Sequence, residues 1–269
     1  MRIPRRWRHG LWVLVRMYAL YLGLLFLVQR WMIFPGQFRD PPDISTAVLD
    51  ATGGRALSSA RAGKSWWFAG DPHRPALAVF HGNGEIIEDW LATAANLRSQ
   101  GYNVLLVEYP GYGGSPGAPT HTTLIENARR AMNEAKPLHD GPWIAVGISL
   151  GTGVATALAR DGSFDAVALI APYSSMTAMA TRRLAPGFLV RDRFDNLAAL
   201  HGFIKPVLII HGKKDRSIPP AMASQVAAVC AGPVDLRLLD SHGHQSVLGG
   251  DVLDIVTTWV NQIFPLRQQ

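Results

Sequence analysis

The apolar run Trp143-Ile144-Ala145-Val146 ends in Gly147-Ile148-Ser149-Leu150-Gly151, and helix-forming residues follow as far as Arg160. In a G-x-S-x-G arrangement of this kind the serine sits on a strained strand-to-helix turn, with glycines wherever neighbouring backbone comes close. Such a turn lifts the Ser149 hydroxyl above the sheet edge as a nucleophile. It also aims the Leu150 N–H, at the helix start, at an oxygen bound beside the serine. The plainer reading is a glycine-rich helix start with Ser149 as its cap. Acyl transfer needs a second donor where negative charge develops, and the run Ala76–Phe80 ends in His81-Gly82-Asn83-Gly84 before another helical stretch. The Asn83 N–H is the expected donor, each such donor being worth about 2.7–4 kcal/mol. His81 reads as a residue that packs or hydrogen-bonds under this loop.

A nucleophilic serine needs a base and an acid to orient it. The apolar run Val207–Ile210 leads into His211-Gly212-Lys213-Lys214-Asp215, which places Asp215 past a strand end. The last expected strand, Val234–Leu239, leads into Asp240-Ser241-His242-Gly243-His244-Gln245-Ser246. His242 and His244 are both candidates for the base. Gly243 just before it and a helix just after it favour His244. The reading is therefore Ser149 as nucleophile, Asp215 as acid, His244 as base, and Asn83 and Leu150 as oxyanion donors, with no metal or organic cofactor required.

The elements that must position these residues follow from periodicity. Strands are expected at Ser65–Ala69, Ala76–Phe80, Val104–Glu108, Trp143–Ile148, Ala166–Ile170, Val207–Ile210 and Val234–Leu239. Several of them have the near-continuous apolar character of strands covered on both faces. Helices are expected at Glu85–Gln100, Thr122–Ala135, Leu150–Arg160, Ala221–Ala231 and Ser246–Ile263. The alternation gives an α/β fold, a mostly parallel sheet with helices on both faces, whose chemistry lies at the carboxyl ends of the strands. The candidate residues fall at four such ends. The expected organisation is an anchor over 1–34, a linker and first strand region over 35–60, and a catalytic domain over 61–269 with a small helical cap over about 172–205.

The stretch from Leu11 to Phe34 is long and apolar enough to cross a bilayer, with Trp7, Trp12 and Trp31 near its borders. Its length, and the absence of a small-residue cleavage site after it, favour an uncleaved signal anchor over a removed signal peptide. Basic residues before it (Arg2, Arg5, Arg6, Arg8) predict a cytoplasmic N-terminus, and in a bacterium a single-pass inner-membrane protein with its catalytic domain in the periplasm. These arginines carry most of the formal net charge of +6. The remainder is close to balanced, so a nucleic-acid partner is not expected. Cys230 is the one cysteine, which excludes an intrachain disulfide and a cysteine metal cluster.

Taken together, His81-Gly82-Asn83, Glu108-Tyr109-Pro110-Gly111-Tyr112-Gly113-Gly114-Ser115, Gly147–Gly151, Pro206–Pro219 and Gly243-His244 resemble the α/β-hydrolase superfamily. More narrowly, they resemble its abhydrolase-domain group, which includes membrane-associated depalmitoylating thioesterases and bacterial relatives. The resemblance implies an α/β-hydrolase fold and Ser, Asp and His in the roles given above. That group often has Asn-Asp after the base where this chain has Gln245-Ser246, so the resemblance bears on reaction type more than on substrate. The expected activity is hydrolysis of an ester or thioester, with a small-molecule or lipid acyl substrate. Two other readings are a serine aminopeptidase, for which a larger cap and amine-binding carboxylates are not evident, and a catalytically silent membrane-anchored binding module, which would not need a complete triad.

Overall fold

A computed structural model describes residues 5–42, 44, 46–57, 63–248 and 250–265. Arg2, residues 58–60 of the expected linker and residue 249 of the expected last helix lie outside the described residues. Eight strands form one sheet: β1 (Gly54–Ala56), β2 (Ser65–Phe68), β3 (Ala76–Phe80), β4 (Asn103–Val107), β5 (Trp143–Ile148), β6 (Ala166–Ile170), β7 (Val207–Gly212) and β8 (Val234–Leu239). Their order is β1-β2-β4-β3-β5-β6-β7-β8. The β1–β2 and β2–β4 pairs are antiparallel and all others parallel.

Strands β2 to β7 are buried along their whole length, which is why they read as unbroken apolar runs. Their side chains still alternate between two cores. Ala76, Ala78 and Phe80 of β3 join one, with residues of α4 (His121–Ala135), α5 (Gly151–Arg160) and α8 (Pro220–Val229). Leu77 and Val79 join the other, with α3 (Leu91–Ser99) and α9 (Gly250–Ile263). The sheet is thus sandwiched, and its mutually parallel strands β3 to β8 end on one edge.

The helix expected over Ser246–Ile263 opens as a 3-10 turn, Ser246–Leu248, before α9, and two further stretches differ from the sequence expectation. The helix expected over Glu85–Gln100 begins instead as a 3-10 turn, Ile87–Trp90, and becomes α-helical only at Leu91. Local carboxylates account for this: Glu85 accepts from the Gly82 N–H (2.6 Å) and Asp89 from the Ile86 N–H (3.0 Å), bonds that compete with regular helix. Between residues 35 and 57 lie a 3-10 turn (Pro35–Phe38), a helix α2 (Thr46–Ala51) and β1.

The N-terminal helix α1 (Arg5–Ile33) contains a stretch, His9–Ile33, long and apolar enough to cross a membrane. Its C-terminal half lies against the segment between β6 and β7, which carries α6 (Met176–Thr181), a 3-10 turn (Gly187–Leu189) and α7 (Asn196–Leu200). Tyr18 donates to the Leu184 carbonyl (2.7 Å), and Tyr21 to that of Arg183. Gln29 donates to the Leu189 carbonyl (3.2 Å) and accepts from the Arg191 N–H (2.9 Å). Arg30 pairs with the buried Asp192 at 2.9 Å.

Candidate active site

Ser149 follows the last residue of β5 and precedes α5, with φ at +49°. A non-glycine residue held there is strained, and the surrounding backbone holds it: its N–H donates to the Ile170 carbonyl (2.8 Å) and its carbonyl accepts from the Thr152 N–H (3.1 Å) and hydroxyl (2.7 Å). The flanking glycines are required by contact. A Cβ on Gly147 would stand 2.8 Å from both Thr152 Cα and Ala155 Cβ, and one on Gly151 would collide with the Phe80 carbonyl.

The Ser149 hydroxyl lies 3.2 Å from His244 Nε2, and His244 Nδ1 lies 2.7 Å from Asp215 Oδ2. A carboxylate only accepts, so Nδ1 carries the proton and the neutral ring presents its Nε2 lone pair to the serine. Asp215 is buried. Its Oδ1 accepts from the Ser217 and Ile218 N–H groups, both at 2.8 Å. Burial alone would raise its pKa, but hydrogen bonds from His211 and His244 and from the Ile218 N–H outweigh it and hold the carboxyl well below the usual range. His211 is fully buried, 2.9 Å from the Ile218 carbonyl and 3.4 Å from Asp215 Oδ2, so it braces the acid from below. His242 Nδ1 instead meets the Ser241 hydroxyl at 3.1 Å.

Crowding does not explain Gly243, because a Cβ there would meet only an ordinary contact, 3.5 Å from the Lys214 carbonyl. The glycine that close approach requires is Gly212, at the end of β7, where a Cβ would run into the His242 carbonyl.

Asn83 and Leu150 border the same cavity as Ser149 and His244, a space of about 660 Å³. Among the described residues their N–H groups have no protein acceptor. The loop carrying Asn83 is fixed from several sides. Its carbonyl accepts from the Gly36 N–H (3.0 Å) and the Tyr112 hydroxyl (3.0 Å), and Tyr109 donates to the His81 carbonyl (2.8 Å). His81 lies beneath the loop, with Nδ1 2.9 Å from the Gly82 carbonyl and Nε2 2.9 Å from Glu108 Oε1. Both partners only accept, so both ring nitrogens carry protons when Glu108 is ionised. Burial lowers the His81 pKa, but the charge and hydrogen bond of Glu108 more than offset this and raise it. Glu108 also accepts from the Ile87 N–H (3.0 Å) and the Tyr109 N–H (2.8 Å). Sequence reasoning gave Glu108, Tyr109 and Tyr112 no role of their own. A buried carboxylate at the end of an apolar run was the available signal.

A family model described as alpha/beta hydrolase fold matches residues 75–198. The human alpha/beta hydrolase domain-containing protein 17B is 30% identical over 164 residues, covering 60% of this chain and 57% of that protein. This chain has the α/β-hydrolase fold and is similar to abhydrolase-domain proteins. An uncharacterized protein of Mycobacterium tuberculosis is 29% identical to this hydrolase over 217 residues, 76% of each chain. Among solved structures, mouse alpha/beta hydrolase domain-containing protein 10 aligns with a TM-score of 0.56 at 19% identity, covering 78% of this chain and 98% of that one. A putative lipase from Acinetobacter baumannii aligns with a TM-score of 0.61 at 16% identity, covering 84% and 98%. These two structural likenesses bear on the fold alone.

Proposed function

We propose that this hydrolase is a serine esterase or thioesterase that works through an acyl-enzyme on Ser149, with a lipid or another acylated molecule as substrate. The observation that carries the reading is the connected line Ser149–His244–Asp215, with the serine held at a positive φ at the floor of a cavity.

His244 Nε2 takes the hydroxyl proton as Ser149 Oγ attacks the acyl carbonyl, and Asp215 stabilises the imidazolium that forms. The Asn83 and Leu150 N–H groups receive the developing oxyanion. As the tetrahedral adduct collapses, His244 gives its proton to the departing alcohol or thiol, leaving the acyl group on Ser149. Water then gives a proton to His244 and attacks that ester. The second adduct releases the carboxylic acid, and His244 returns the proton to Ser149. The apolar cap residues supply the acyl-binding side of the cavity, and α1 keeps the enzyme at a membrane. In a bacterial cell the proposed arrangement is single-pass in the inner membrane, with the catalytic domain in the periplasm.

Labelling of the detergent-solubilised protein by a fluorophosphonate probe tests the mechanism. Wild type is expected to label, and Ser149→Ala and His244→Ala are not. A folded wild type that fails to label refutes it. Protease added to intact spheroplasts is expected to digest the catalytic domain; digestion only after the inner membrane is opened refutes the orientation.

A further inference from the structure

The anchor helix does more than reach toward the membrane. The cavity that Ser149 and His244 border is also lined by Leu22, Leu25 and Phe26 of α1 and by Met176, Met179 and Leu189 of the cap. The α1 residues belong to one stripe that runs on through Gln29 to Ile33. From Leu22 to Ile33 an α-helix rises about 16 Å, so the α1 wall of the slot is long, and it is apolar except for Gln29. The opposite side of α1, with Leu20, Leu24 and Leu27, is exposed hydrocarbon. One helix therefore presents one face to the slot and another to its surroundings.

The cap edge continues that outer apolar surface. Leu184 is 74% exposed and Phe188 75%, in the stretch whose carbonyls accept from Tyr18 and Tyr21. Beyond the cap, His9–Met17 rises only about 13 Å, less than half of a hydrocarbon core of about 30 Å. If docked α1 crosses a bilayer, the cap edge must enter the adjoining leaflet with it. Arg182 and Arg183 border the cavity at that edge, with side chains long enough to reach the headgroup layer. The mouth of the slot then opens among lipid tails.

We infer that α1 is a wall of the acyl site: the acyl chain of a bilayer-resident substrate enters sideways from the membrane, between α1 and the cap, and lies along Leu22, Leu25 and Phe26. This rests on the serine-hydrolase reading and adds to it which residues select the chain and from which side it arrives. It also gives the Gly36–Asn83 hydrogen bond a purpose, since the residues just after α1 then hold both the helix wall and the oxyanion loop in register.

The test uses the full chain in phosphatidylcholine vesicles and a long-chain alkyl fluorophosphonate bearing a diazirine at the chain terminus. Ser149 displaces fluoride, and irradiation then records where the chain lies. Crosslinks to α1 between Leu22 and Ile33 are expected; crosslinks confined to other elements overturn the inference while leaving the nucleophile intact. Absence of any Ser149 adduct strikes the hydrolase reading itself, a separate outcome. In turnover, Leu25→Trp is expected to lower the ratio of long-chain to butyryl ester hydrolysis by at least about tenfold, because it removes room for methylenes. Leu24→Trp, on the exposed face, leaves the ratio unchanged. An unchanged ratio in Leu25→Trp overturns the inference, and so does a long-chain ester hydrolysed faster from water than from the vesicle.

Discussion

Replacing Asp215 by asparagine changes one atom, and the surrounding bonds determine how that atom acts. Asp215 Oδ1 accepts from two backbone N–H groups, Ser217 and Ile218. An asparagine that turned its NH2 toward them would set donor against donor twice. It therefore keeps its oxygen there and presents the NH2 where Oδ2 now faces His244 Nδ1. A donor at that position requires His244 to offer a lone pair at Nδ1, which moves the ring proton to Nε2. Nε2 can then no longer accept the Ser149 proton, and the imidazolium loses its counter-charge. The same tautomer error in a Ser-His-Asp triad lowers kcat about 10⁴-fold, which is about 5 kcal/mol of barrier. The assay is kcat on p-nitrophenyl butyrate at pH 8 per mole of folded enzyme, with near-UV circular dichroism as the check on folding. A folded Asp215→Asn enzyme within tenfold of wild type would refute the assignment of Asp215 and the tautomer argument together.

The His81–Glu108 pair predicts a pH-dependent stability. Folding raises the His81 pKa, so the pair's contribution is full below about pH 6.5 and fades as pH rises through the raised value. Thermal melts from pH 6 to 9 should fall more steeply for wild type than for His81→Gln, and parallel curves would count against the pair. Folding lowers the Asp215 pKa, so its contribution is present above about pH 4 and lost as pH falls further; the stability gap between wild type and Asp215→Asn should narrow in acid melts. Gly147→Ala forces a Cβ against Thr152 and Ala155 at the tightest part of the turn, and a loss of about 1–3 kcal/mol is expected in denaturant titrations. Asp192→Ala strips the partner from Arg30 and from the His121 N–H (2.8 Å). It should cost about 2–3 kcal/mol and expose α1 to limited proteolysis.

Strand positions were legible because burial on both faces leaves a continuous apolar signature, and errors arose where a polar side chain had a structural task. Asn103 opens β4, although the apolar run begins at Val104, because its amide bonds the Gly70 N–H and the carbonyls of Asp71 and Arg74. The turn at Ser149 could be read because strand, glycines and helix are contiguous in the chain. The rule that chemistry collects at carboxyl ends singled out Asp215 and the loop after β8, but it did not by itself separate His244 from His242, whose partners differ only in three dimensions. What could not be read are pairings between distant residues: Gly36 with Asn83, Gln29 with the cap backbone, Arg30 with Asp192. Asn196 illustrates the point. It looks like an ordinary helix-start residue, yet it is fully buried and joins Thr152 and Thr156 of α5 and the Tyr173 carbonyl. No local pattern distinguishes such an asparagine from one in solvent.

The position of β8 has a consequence for how this enzyme fails. Ser149 follows β5, in the middle of the sheet, whereas His244 follows β8, an edge strand that pairs with β7 alone and is only partly buried. An edge strand is among the first elements to come loose as temperature rises. Loss of activity should therefore precede loss of the fold, with the nucleophile's turn still intact in the inactivated molecule. Under the mechanism proposed above, the enzyme would switch off below its melting temperature and recover on cooling, because only the strand leading to His244 has to return to place.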